Sequence, residues 1–285
     1  MRKYVLTDLD GTLLRSDATL SAYSQNLLTR ALKEGHVISY ATARSYTSSM
    51  KVVASVPWNH PVVLYNGALL YDPVNCKVLD GHFLDTAIAL RIIEIGRRHG
   101  IVPLWFGLDE EAREIVLHEP MTRDGDKQFL ASREGDPRFR EQPVLTPLPG
   151  MRTLMLTYIG LERELEPLRK AAAERLGAEV HLNMMPDRYI RDHYFLEFSD
   201  PKANKREGLK LWARHVGACP ERIIVYGDNL NDIGLYEAAG CRVAVANAHP
   251  VLREMADRIV ASNDEDGVAC DVERELFDEK NRLSV

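Results

Sequence analysis

Cysteine is scarce in this 285-residue chain: Cys76, Cys219, Cys241 and Cys270 stand far apart, with no CxxC pair among them. That scatter excludes a cysteine-built metal site and predicts reduced thiols in a cytoplasmic protein. Cys241 and Cys270 are expected to be buried as small apolar groups. No apolar run reaches the ~18 residues that a membrane span needs. Asp8 and Asp10 interrupt the N-terminal apolar run too early for a secretory signal. Internal repeats and low-complexity tracts are also missing. Positive charge is outnumbered, with 36 Lys and Arg against 42 Asp and Glu and a net charge of −6. This argues against nucleic-acid binding by the surface as a whole, but not against a local anion site.

What is present suits a globular protein of one large domain or two smaller ones, with 45% hydrophobic and 27% charged residues. The first part alternates strand and helix patterns. "KYVLTD" reads as a buried strand. "SAYSQNLLTRALKEG" reads as a helix with Ser21 as N-cap and Gly35 as its stop. "HVISYAT" is a second strand, "SYTSSMKVVASV" a second helix, and "PVVLYNGALLYD" a strand, an Asn-Gly turn and a return strand.

From about residue 84 to 190 the pattern changes to a mixed α+β unit, in which "TRDGDKQFLASREGDPRF" looks charged and irregular. Trp105 and Phe106 are expected in its core, "RELEPLRK" on a solvated helix face, and His118, His181 and His193 as packed or surface residues. βα alternation resumes afterwards with "REGLKLWARHVG", "RIIVYGD", "DIGLYEAAG" and "CRVAVAN". The expected fold class is therefore α/β: a three-layer, Rossmann-like core with a parallel sheet, formed by residues 1–83 and 191–285, with an α+β domain inserted at 84–190.

In open α/β sheets ligands bind beyond the carboxyl ends of the strands. Asp8, Thr42 and Asn66 all fall at such ends, and "YGDNLND" ends another strand with Asp228, Asn231 and Asp232. Carboxylates gathered at one sheet edge repel by ~4 kcal/mol per pair at ~4 Å and an effective dielectric of ~20, so such a cluster calls for a cation. An oxygen-only site that tolerates water suits Mg²⁺. "PKANKREGL" supplies two candidate lysines, Lys202 and Lys205.

"DLDGT", "ATAR", a lysine near 205 and "GDNLND", in this order and context, resemble the four motifs of haloacid dehalogenase-type phosphatases. More narrowly, the chain resembles the Cof-type group, in which a large cap is inserted between the second and third motifs. "YNGALLYD", "VANAHPVLREMAD" and "NDEDGVA" fit that group too.

The resemblance implies a Mg²⁺-dependent phosphatase of small phosphorylated metabolites, sugar phosphates above all, acting through an aspartyl-phosphate. Asp8 would be the nucleophile and Asp10 the acid and base. Mg²⁺ would bind Asp8, the Asp10 carbonyl and Asp228. Leu9, Thr42, Ala43, Lys205 and Asn231 would contact substrate, with Thr42 and Lys205 also serving catalysis. Asp232 would support the metal shell. Arg44 would be a substrate or structural cation, or a solvated arginine at a helix start. Lys205 fits the third motif better than Lys202, because it stands immediately before a helix. Ala43 and Arg206 replace glycines that are usual in the family. No nucleic acid or membrane is expected as partner, and the protein is expected to be a monomer or homodimer. A phosphomutase and a non-catalytic phospho-acceptor module are the alternative readings.

Overall fold

The computed structural model describes residues 3–186 and 190–277. The elements run β1 (Tyr4–Thr7), α1 (Ala22–Lys33), β2 (Val37–Tyr40), α2 (Tyr46–Val53), β3 (Val62–Leu64), β4 (Leu69–Asp72) and β5 (Lys77–Gly81). Then come α3 (Thr86–Arg98), β6 (Leu104–Leu108), β7 (Glu114–His118), α4 (Asp124–Ala131), β8 (Phe139–Glu141), β9 (Arg152–Leu161), α5 (Glu162–Leu176), β10 (His181–Pro186) and β11 (His193–Ser199). The chain finishes with α6 (Lys205–Val216), β12 (Ile223–Gly227), α7 (Ile233–Ala238), β13 (Cys241–Val245), α8 (Pro250–Met255), β14 (Arg258–Val260) and α9 (Gly267–Phe277).

Two compact units divide these elements: one holds the residues up to Gly81 and from Ala203 onward, the other His82–Lys202. In the first, five parallel strands lie in the order β14-β13-β12-β1-β2. Val5, Leu6, Ile38, Val225 and Val243 are fully buried, as expected of parallel strands covered on both faces. α1 carries the chain from β1 out to β2, and α6, which follows the second unit, leads back into β12 on the other side of β1. Right-handed crossovers in opposite directions place those helices on opposite faces, giving helix, sheet and helix layers. α1 is capped by Ser21, whose Oγ accepts from Ser24 N at 3.0 Å, and ends at Gly35 with φ +87°. β3, β4 and β5 form a small antiparallel sheet. It is tied to the end of β2 by a parallel bridge between Ala41 and Val63.

The second unit is built on a six-stranded sheet ordered β10-β11-β9-β6-β7-β8. Its C-terminal limit lies beyond the expected 190. β11 pairs with β10 on one side and β9 on the other, so removing it would split the sheet. The stretch expected to be irregular also carries structure. α4 seats Phe129 in a cluster with Leu104, Val116 and Ile159, and β8 pairs in parallel with β7. One apolar anchor among charges was too weak a periodic signal to reveal that helix. Trp105 is fully buried and donates to Thr153 Oγ1 at 2.9 Å, as a core residue should. The cysteines correct another expectation: all four are free, but Cys270 is exposed and Cys241 only half-buried, with Arg258 Nη1 3.2 Å from its sulfur. Among the described residues, no helix is long and apolar enough to cross a membrane.

Strand alternation in the second unit buries Leu156, Tyr158, Leu196 and Phe198 in one apolar cluster with residues of α3 and α5. Thr157 and Glu197 therefore point to the other face, directly opposite each other across β9 and β11. Among the described residues, Thr157 Oγ1 is buried without a hydrogen-bond partner. Burial alone pushes the Glu197 carboxyl up to about 7. Such an acid ionises earlier in the unfolded chain than in the folded one. Its contribution therefore favours folding most below the ordinary value of 4.5, and is lost as pH rises to about 7. Glu197→Gln should raise stability above pH 7 by roughly 1–3 kcal/mol, with the gain vanishing below pH 4.5; urea unfolding at both pH values measures it.

Candidate active site

The register of the parallel sheet assembles the site. β1 and β12 are neighbours, with Thr7 level with Tyr226, so Asp8 and Asp228 leave the same sheet edge from adjacent strands. Asp8 N still donates to Tyr226 O at 2.9 Å, which holds Asp8 in line with its strand although its side chain has entered the site. Gly11 then turns the chain with φ +79°. A Cβ there would come within 2.4 Å of Asp228 Oδ2, so both the dihedral and the space require glycine. The turn brings Thr12 back, and its Oγ1 donates to Asp228 Oδ1 at 2.9 Å.

α6 brings in the cation. Asn204 caps the helix by accepting from Glu207 N at 3.0 Å, and Lys205 is its first residue. The Lys205 side chain is fully buried, with Nζ 2.5 Å from Asp8 Oδ1 and 2.6 Å from Asp232 Oδ1. Arg206 lies in regular helix and is exposed, with its guanidinium 3.5 Å from Glu237, so its replacement of a glycine leaves the helix start intact. Lys202 is exposed and takes no part in this network.

Asp232 commits both oxygens to the protein: Oδ1 to Lys205, and Oδ2 to the backbone N–H groups of Asp228 and Asn229 at 3.0 and 3.2 Å. It thereby clamps the loop that carries Asp228. Carboxylate oxygens of Asp8, Asp228 and Asp232 lie within 4.8 Å of one another. Burial pushes the Asp8 carboxyl well up, and Asp232 and Asp228 add to the shift while Lys205 opposes it. Asp228 is pushed up to about 6, again chiefly by burial and then by Asp232, with Thr12 and Lys205 opposing. Lys205 is held in its charged form by Asp232 and Asp8 against the opposing effect of burial.

One lysine faces three carboxylates, so the cluster carries an excess of negative charge in a poorly solvated place. A hard divalent cation with oxygen ligands fits that donor set. With Asp232 committed elsewhere, Asp8 and Asp228 are the carboxylates that would hold it.

The other predicted residues form two separate pairs and a backbone frame. Arg44 makes a two-pronged ion pair with Asp10, Nε to Oδ2 and Nη2 to Oδ1, both at 2.7 Å. Of the three roles open to Arg44, this contact matches a structural cation. Asn231 Nδ2 donates to Asn66 Oδ1 at 3.2 Å. Thr42 is buried at the end of β2, and its Oγ1 accepts from Arg44 N at 3.1 Å. The Leu9 side chain is buried in the core, and Ala43 is exposed, so neither brings a polar side chain to the site.

Sequence reasoning did not single out Asn204 or Asn247, and it marks Thr12 only as part of the turn after Asp10. Asn247 Nδ2 donates to Gly11 O at 2.8 Å and its Oδ1 accepts from Asn263 N at 3.0 Å, bracing the glycine turn. All three lie inside segments legible in the sequence, but only the contacts identify what their side chains do.

Comparisons with known proteins give the family. The sequence model of the haloacid dehalogenase-like hydrolase family matches residues 5–270. The chain is 27% identical over 269 residues to 5-amino-6-(5-phospho-D-ribitylamino)uracil phosphatase YitU of Bacillus subtilis, covering 93% of this chain and 94% of that protein. It is 26% identical over 271 residues to pyridoxal phosphate phosphatase YbhA of Escherichia coli, with 94% and 96% covered. Its fold is similar to the crystal structure of TM0651 from Thermotoga maritima, with a TM-score of 0.80, 25% identity, and 96% and 97% of the two chains covered. With the carboxylate cluster, its buried lysine and a family match along nearly the whole chain, this protein belongs to the haloacid dehalogenase-like hydrolases.

Proposed function

We propose that this protein is a Mg²⁺-dependent phosphatase of small phosphorylated metabolites, compact esters such as sugar phosphates, working through an aspartyl-phosphate. The observation that carries the reading is the buried Lys205 ammonium shared by Asp8 and Asp232 beside Asp228. The names of the two relatives, each a phosphatase of a small phosphorylated compound, support the substrate class.

Asp8 attacks phosphorus through a carboxylate oxygen, forming a P–O bond as the ester P–O bond breaks. Asp10, released from Arg44 as the ester enters and protonated from the incoming phosphate monoester or from water, gives that proton to the departing ester oxygen. It then takes one from the water that attacks the phosphorus of the aspartyl-phosphate, which releases inorganic phosphate and restores Asp8. Arg44, gripping both Asp10 oxygens, fixes the carboxylate until the ester arrives. Lys205 neutralises Asp8 before the reaction and the transferring phosphoryl group during it. Asp232 aims that ammonium, and Thr42 and Asn231 contact phosphoryl oxygens. Asp8, the Asp10 carbonyl and Asp228 would hold Mg²⁺, which supplies charge neutralisation to the carboxylates and the incoming dianion.

A generic aryl phosphate with Mg²⁺ tests the activity. Turnover should disappear with a chelator and return on adding Mg²⁺. Asp8→Asn should abolish turnover, and Asp10→Asn should lower kcat by roughly 10²–10⁴-fold. Wild-type activity in Asp10→Asn would overturn its acid and base role, and lack of turnover by the wild type would overturn the activity itself.

Lys205→Ala strands two buried carboxylates and should cost about 3–5 kcal/mol of stability as well as activity. Lys202→Ala should change neither. Chemical unfolding of both variants, with matched kinetics, decides between the two lysines, and the reverse result would reassign the motif.

A further inference from the structure

Beyond β3 the backbone adopts an uncommon conformation. Tyr65, Asn66 and Gly67 all have positive φ, at +50°, +54° and +103°. Two adjacent non-glycine residues in the left-handed region cost free energy, which persists only where the surroundings enforce it. The surroundings here are the other strand-end loops of the site. Tyr65 N donates to Arg44 O at 3.1 Å and Asn66 N to Thr42 O at 2.9 Å. A Cβ on Gly67 would lie 2.1 Å from Asn204 O, at the N-cap of the helix that begins with Lys205. Asn66 Oδ1 accepts from Asn231, 165 positions away in the chain. One strained turn thus touches the loop of Thr42 and Arg44, the cap before Lys205 and the loop that carries Asn231.

A turn alone would account for asparagine at φ +54°, because asparagine tolerates that region. It does not account for where the side chain goes. Asn66 Oδ1 is engaged by Asn231, and among the described residues nothing accepts from Asn66 Nδ2. The atom left over can only donate. Its backbone is bonded to Thr42, and its neighbour Gly67 packs on the residue before Lys205. A donor in that company is suited to an anionic oxygen.

We propose that Asn66 is a further substrate-binding residue, donating from Nδ2 to an oxygen of the phosphate group while Oδ1 holds Asn231 in place. The proposal rests on the phosphatase reading above for its ligand class.

Two substitutions separate this role from a structural one, since aspartate and glycine both accept the left-handed backbone. Asn66→Asp keeps an acceptor for Asn231 but replaces the donor with negative charge. Asn66→Gly removes the side chain and relieves the strain. Both should melt within a few degrees of the wild type. Asn66→Asp should raise KM for an aryl phosphate at least ~10-fold with a smaller change in kcat, as loss of a hydrogen bond to a charged group predicts. Asn66→Gly should raise it several-fold. Binding of inorganic phosphate in the presence of Mg²⁺, followed by calorimetry, should weaken in parallel.

KM and phosphate affinity within about twofold of wild type in Asn66→Asp would overturn the proposal and leave the phosphatase reading standing. A wild-type protein that binds phosphate through Asn66 but turns over no ester would overturn the phosphatase reading and leave this one standing. A wild type that does neither would overturn both.

Discussion

The ammonium of Lys205, wedged without solvent between Asp8 and Asp232, is the interaction on which the rest of the site depends. Three carboxylates converge there in poorly solvated surroundings, and burial is the largest influence on the proton affinity of both Asp8 and Asp228. Without a fixed positive charge the cluster would have to take up protons or open to water. Lys205 can stay charged because both of its partners are themselves fixed, Asp8 by its strand and Asp232 by two backbone N–H groups. The balance is incomplete, and the remaining negative charge is what suits the site to a divalent cation and a phosphate ester together.

Close backbone approach makes this density of charge possible. Gly11 leaves room for Asp228, and Gly227 leaves room for Asp232, whose Cβ would otherwise meet a new methyl group at 2.6 Å. Gly67 lets the turn after β3 rest on Asn204. Gly11 and Gly67 sit where one loop of the site meets another, and Gly227 where the loop after β12 folds back on itself. Around them, side-chain amides and hydroxyls fasten loop to loop: Asn247 to Gly11, Thr12 to Asp228, Asn231 to Asn66. The rigid five-stranded sheet sets the positions, and this second set of contacts sets the angles.

The chain itself determined a good deal. Apolar runs ending in aspartate mark β1 and β12, and helical spacing with Ser21 and Gly35 marks α1, because these patterns depend on near neighbours alone. The four short motifs were legible for the same reason, and they name Asp8, Lys205, Asp228 and Asp232 as one group before any coordinates are known. Pairing decided what local pattern could not. β11 belongs to the second unit only because β9 and β10 flank it, and α4 is anchored by one phenylalanine in a charged stretch. Likewise, only the tertiary structure paired Asp10 with Arg44, committed both oxygens of Asp232 to the protein and set Asn66 against Asn231. Those partners lie 27 to 165 residues apart, except for the short Asp228–Asp232 loop. Residue types carry the chemistry, but which oxygen meets which nitrogen depends on distances that exist only once the sheet has closed.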